Sequence, residues 1–144
     1  MFGMSSFAQN YATDSVSLKS GTPTSWTVYV SNQNFEIEYK ASPCNPSRGY
    51  DKEMVLLRFK NKSNTDLVFN WHMVMYFSET CKTCDYYDEY HYSVPVSANS
   101  SVEGSCDLNG DYQLKIFSKF IDPIYTKGEQ LNAFELRGLN VEAQ

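Results

Sequence analysis

Residues 81 to 92 read CKTCDYYDEYHY, which places two cysteines, three acidic side chains, four tyrosines and a histidine in twelve positions. The spacing of Cys81 and Cys84 suits a metal knuckle, a redox dithiol or a stapled turn. Redox catalysis needs such a pair at a helix N-terminus, where the dipole lowers the thiol pKa. Here Lys82 and Thr83 follow a strand-like run, and the acids after them would raise that pKa, so redox catalysis is disfavoured. Cys44 and Cys106 are singletons, whereas a zinc ribbon offers two knuckles. An even cysteine count in an exported chain favours two disulfides, with Cys44 joined to a strand-connecting cysteine; all three connectivities remain open, and a four-cysteine zinc site is the alternative. Tyr86, Tyr87, Tyr90 and Tyr92, with Asp85 and Asp88 among them, offer rigid amphipathic area for a protein partner or a sugar ring. The same tyrosines could equally cover the end of a folded domain.

The remaining chemistry-bearing residues have plainer readings. His72 adjoins an apolar Trp71 and should face the other side of a strand, as a surface histidine. His91 sits beside the acidic tyrosines, where metal binding is a minor alternative. Asp107, Asn109 and Asp111 imitate the first half of a calcium loop, but Tyr112 stands where that loop requires glycine and no bidentate Glu follows, so a turn is expected. Glu36 and Glu38 share one strand face, read as solvated. No phosphate loop, nucleophile elbow or zinc-protease helix occurs, so no catalytic residues and no cofactor are assigned. Asn61-Lys62-Ser63 and Asn99-Ser100-Ser101 are N-glycosylation sequons.

The elements that must position these residues fit one domain. The chain has 144 residues, with 17 acidic against 12 basic side chains and a net charge of -5. Lacking a concentrated basic face, it is not expected to bind nucleic acid, and no apolar run approaches the roughly 20 residues of a membrane helix. Residues 1–8 end in Ser6-Phe7-Ala8, the small-x-small pattern of a signal cleavage site, and read as a signal-peptide remnant; this places the protein outside the cell, in the periplasm or at the cell surface. Residues 9–24 read as a polar leader with at most a short strand at Val16 to Leu18, and 25–144 as the folded domain.

Within that domain SWTVYVSN and FEIEYKA alternate as a strand pair. Residues 54 to 77 read as a long hairpin burying Val55, Leu57, Phe59, Leu67, Phe69 and Trp71. YSVPVSA and SSVEGSC are short strands, with Pro95 marking an exposed edge. Strands at 112 to 120 and 134 to 142 close the domain, and no helix is convincing. In DLNGDYQLKI, Leu108, Gly110 and Tyr112 stand at the spacing of a tyrosine corner. With Trp71 on a C-like strand, residues 25 to 142 resemble an immunoglobulin-like or fibronectin-III-like domain. That resemblance implies an all-β, antiparallel sandwich of seven to eight strands, with 112 to 120 as strand F. It departs from the antibody pattern in lacking the cysteine pair between strands B and F. Alternating strand directions would gather all four cysteines at one pole. The resulting expectation is a non-catalytic interaction or structural module that binds a protein through its Tyr/Asp loop or an edge strand. The alternatives are a carbohydrate-binding module and a self-assembling subunit whose leader adds a strand to a neighbouring copy.

Overall fold

The computed structural model describes residues 8–44, 52–107, 109–121 and 129–144. Its strands are β1 (Ala8–Asn10), β2 (Val16–Ser17), β3 (Thr27–Ser31), β4 (Phe35–Cys44), β5 (Lys52–Asn61), β6 (Leu67–Phe77), β7 (Thr80–Cys81), β8 (His91–Val96), β9 (Ser101–Glu103), β10 (Lys115–Phe120) and β11 (Leu131–Ala143), with one 3₁₀ turn at Tyr112–Leu114. Seven of these strands have five or more residues, and the other four only extend the edges of longer neighbours. All pairings are antiparallel, in two sheets. In sheet A, β11 lies between the β1/β2 segment and β6, and β7 and β8 share the far edge of β6. Sheet B runs β3, β4, β5, with β9 and β10 sharing the far edge of β5.

Period-two alternation makes the sandwich. Phe35, Ile37 and Tyr39 of β4 and Val55, Leu57 and Phe59 of β5 meet Phe69, Trp71 and Met73 of β6 and Phe134, Leu136 and Leu139 of β11 in one core. Aromatic pairs cross between the sheets: Phe35 meets Phe69 edge-on at 5.2 Å, and Phe59 stacks on Trp71 at 4.9 Å.

Four expectations are corrected. Residues 54 to 77 do bury the expected side chains, but they are not a hairpin, because β5 and β6 belong to opposite sheets. Asn61 fixes the crossing: its buried Nδ2 donates to Thr65 O at 2.8 Å and Val96 O at 3.0 Å, while its Oδ1 accepts from Ser63 N at 2.9 Å. This sequon asparagine is therefore occupied inside the fold, whereas Asn99 of the other sequon is exposed. Residues 115 to 120 pair with β5, not with the Trp71 strand; β6 is flanked by β11 on one side and by β7 and β8 on the other.

The leader is part of the domain. Ala8 lies opposite Glu142, the Tyr11 amide donates to Leu139 O at 2.9 Å, Val16 lies opposite Phe134, and Leu18 is buried in the core. Tyr29 locks this segment across the open side of the sandwich, its hydroxyl donating to Asp14 O at 2.9 Å and accepting from Leu136 N at 3.0 Å. Burial pushes the Tyr29 hydroxyl pKa up, against the opposing pull of the Leu136 hydrogen bond.

Glu36 and Glu38 do share the outer face of sheet B, but Glu38 is buried there. It accepts from Arg58 Nε at 2.9 Å and pairs with Lys60 Nζ at 3.2 Å, while the Arg58 guanidinium also lies over the Trp26 ring at 4.3 Å. Burial alone would raise the Glu38 pKa, yet the hydrogen bonds and charges of Arg58 and Lys60 hold it below the usual carboxylate value.

Candidate functional site

The segment that follows β6 doubles back over its edge and outer face. After the tight reversal at Ser78 and Glu79, both at positive φ, β7 pairs Cys81 with Tyr76. The next two residues leave strand geometry, and Thr83 takes over the pairing with its side chain. Its Oγ1 donates to Met73 O at 2.8 Å and accepts from Met75 N at 3.0 Å, with the residue only 1% exposed. Lys82 N donates to Met75 O and Met73 N to Tyr90 O, so the β6 edge passes from β7 through the loop to β8 without a bare backbone group at Met73 or Met75.

The four cysteines form two disulfides, Cys44–Cys106 and Cys81–Cys84, and no cysteine is free. The first ties the end of β4 to the chain beyond β9; the second closes the turn that presents Thr83. Cys44 lies opposite Lys52 at the start of β5, and Cys81 opposite Tyr76 near the end of β6, so both bridges sit towards one pole. With every sulfur in a cystine, no thiolate remains for a zinc site. Two cystines suggest an oxidising, extracellular environment. Among the described residues, no helix is long and apolar enough to cross a membrane.

His72 does point away from the core, but the loop covers it. Its Nε2 donates to Thr83 O at 2.9 Å and its ring meets Tyr87 edge-on at 5.3 Å, so a histidine expected on the surface is buried. Because a carbonyl can only accept, this contact requires a proton on Nε2. His91 is exposed, opposite His72 in register, and its ring lies 4.9 Å from Tyr87.

Strand alternation divides the candidate tyrosines. Tyr87 belongs with His72 and His91 on the outer face of sheet A. Tyr92 pairs with Trp71 and faces the other way, packing edge-on against the Trp71 ring at 5.9 Å. Tyr90 lies 6.4 Å from Tyr92, and both are half-buried; burial, then the neighbouring Tyr112 and Tyr90, raises the Tyr92 pKa. Tyr86 and Tyr87 are 53% and 54% exposed, and Asp85 and Asp88 are exposed beside them.

Tyr112 is not a corner tyrosine. It is 66% exposed in the 3₁₀ turn and packs edge-on against Tyr92 at 5.6 Å, with no hydrogen bond from its hydroxyl among the described residues. Leu108 lies outside the described residues. The DLNGD run is a capped turn: Asp107 Oδ1 accepts from Asn109 N at 2.9 Å, Gly110 N donates to Asp107 O at 3.0 Å, and Asp111 caps the 3₁₀ turn through Gln113 N at 2.9 Å. The two carboxylates thus serve backbone amides.

The edge at Pro95 is also less open than expected. Ser93 N donates to Gln113 Oε1 at 2.9 Å and Pro95 has no N–H, so two alternate positions on the free side of β8 offer no N–H donor to an added strand. Sequence reasoning missed Thr83, Gln113 and the surface role of Tyr112. Only Thr83 left a signal, a β-branched residue with a hydroxyl directly after a strand. Compared with protein-family models, with curated proteins and with solved structures, the chain matches none.

Proposed function

We propose that this chain is a non-catalytic, immunoglobulin-like interaction domain, secreted or held at the cell envelope, that contacts a protein partner through Tyr86, Tyr87 and Tyr112 with Asp85 and Asp88 beside them. The observation that carries this reading is the presentation of the tyrosines. Three rings more than half exposed flank the start of β8, Tyr86 and Tyr87 on a loop whose backbone is anchored by the buried Thr83 and Tyr112 in the 3₁₀ turn. A preorganised loop loses little entropy on binding, and tyrosine supplies large contact area with few rotatable bonds.

The test is site-specific photocrosslinking from position 86 in the native host, beside a Tyr86→Ala/Tyr87→Ala/Tyr112→Ala triple variant probed from position 88. A discrete adduct that the triple variant loses while keeping its fold supports the reading; the same adduct from both proteins sinks it. A glycan is the second reading, favoured by the Tyr87 and His91 rings lying only 34° from parallel. Retardation in a polysaccharide affinity gel that the triple variant loses would select it. The leader as a donated strand has weaker support, because residues 8–18 pair with β11 of their own chain.

A further inference from the structure

The two disulfides differ in what each would leave behind on opening. In thiol–disulfide exchange an incoming thiolate attacks one sulfur and expels the other as a thiolate, and the reaction is faster when the leaving sulfur is the better-stabilised anion. Cys106 is exposed, but attack there would expel Cys44, which is 3% exposed and packed with Met54, Leu56, Trp26 and Phe117. A thiolate in that apolar cluster is strongly disfavoured by desolvation.

At the other bridge both sulfurs belong to half-buried residues, and Arg137 Nη1 lies 3.9 Å from Cys84 Sγ. Arg137 is shared with Glu135 at 3.1 Å, and Asp85 follows Cys84 in an exposed position, so the positive field at the sulfur is tempered but close. Lys82, the other nearby cation, is held by Glu129 at 3.3 Å.

We propose that Cys81–Cys84 is a thiol–disulfide exchange site for a dithiol reductant, with Cys81 the sulfur attacked and Cys84 the leaving sulfur. The first thiolate of the dithiol bonds to Cys81 Sγ as the Cys81–Cys84 bond breaks, and the electron pair remains on Cys84 beside the Arg137 guanidinium. The second thiol of the dithiol then attacks its own partner sulfur in the mixed disulfide and releases Cys81. The dithiol leaves as a disulfide, its two protons pass to the cysteines, and two electrons have entered the protein. The fold survives the step. A bridge across three residues constrains the unfolded chain little, and the Thr83 hydrogen bonds hold the loop independently of it. The site is an exchangeable clasp beneath the tyrosine loop and not a thioredoxin-like catalyst, since no helix N-terminus activates it.

Dilute dithiothreitol near neutral pH, iodoacetamide trapping and peptide mass spectrometry test the proposal on the intact chain. The expected result is alkylation of Cys81 and Cys84 about tenfold faster than of Cys44 and Cys106, under native tryptophan fluorescence. Arg137→Gln slows that opening about three- to tenfold, and Arg137→Lys restores most of it. Both bridges opening together, opening only after the native fluorescence is lost, or a wild-type rate in Arg137→Gln would each overturn it.

Discussion

Replacing Thr83 with valine keeps the shape of the side chain and removes only its hydroxyl. In the folded protein that hydroxyl satisfies the carbonyl of Met73 and the amide of Met75, both on the β6 edge. Thr83 is 1% exposed, so water has no easy route to replace it. Each buried backbone group left without a partner costs about 1–3 kcal/mol, so the pair amounts to about 2–6 kcal/mol, a fall in Tm on the order of 10 °C for a domain of this size. Thr83→Ser keeps the oxygen and should lose only the packing of one methyl, about 1 kcal/mol. Urea unfolding with both disulfides intact measures the difference, and hydrogen exchange at the Met75 amide locates it. If Thr83→Val unfolds within about 0.5 kcal/mol of Thr83→Ser, a margin typical of neutral surface changes, or if the Met75 amide stays as protected as before, the hydroxyl does not hold the edge and the account of the loop is wrong.

Three further outcomes are expected. Tyr29→Phe leaves Leu136 N and Asp14 O without their partner and should cost about 1–3 kcal/mol, with faster exchange at the Leu136 amide as the marker. Gly138→Ala should cost about 1–2 kcal/mol in a thermal melt, because the position has φ 63° but an added methyl would meet nothing within 4 Å, so backbone strain acts alone. The Glu38 carboxyl is held below its unfolded value, so its contribution to stability is fully present above the ordinary carboxylate range and is lost as pH falls through the folded value. Glu38→Gln should therefore flatten the acid limb of the stability curve, and an unchanged limb would count against the Arg58–Lys60 cradle.

Much of the core was legible because alternation reports burial directly: Val55, Leu57, Phe59, Leu67, Phe69 and Trp71 all point inward as their spacing requires. Which sheet each strand joins was not, since the KNKSNTD turn has the same local chemistry whether its strands pair or diverge. The Asn61 bonds that make them diverge depend in part on Val96, which is remote in sequence. The leader looked unstructured because it has few apolar anchors, and apart from the Thr13 hydroxyl and the Asn10 side-chain amide its bonds to β11 use backbone atoms that every residue carries. In β11, the phase of inward residues slips between Leu136 and Leu139 around Gly138, a bulge visible as two successive outward residues, Arg137 and Gly138, once the strand is known. For the loop, His72 could not be placed beneath it without knowing that the chain folds back over its own strand. Tyr112 fitted a corner by spacing alone, and spacing carries no information about which sheet follows.

The pairing of Ala8 with Glu142 also orders events in time. Strand β11 is the hub of sheet A, bonded to β1 and β2 on one side and to β6 on the other, yet it leaves the ribosome after every other described strand. Until it emerges, β6 has one bare edge and β1 and β2 have nothing to pair with, so half the sandwich waits on residues 131–143. Such dependence on contacts of long sequence separation slows folding. It also keeps the nascent polypeptide open during synthesis, the state in which a chain can be threaded through a narrow channel before its cysteines are joined.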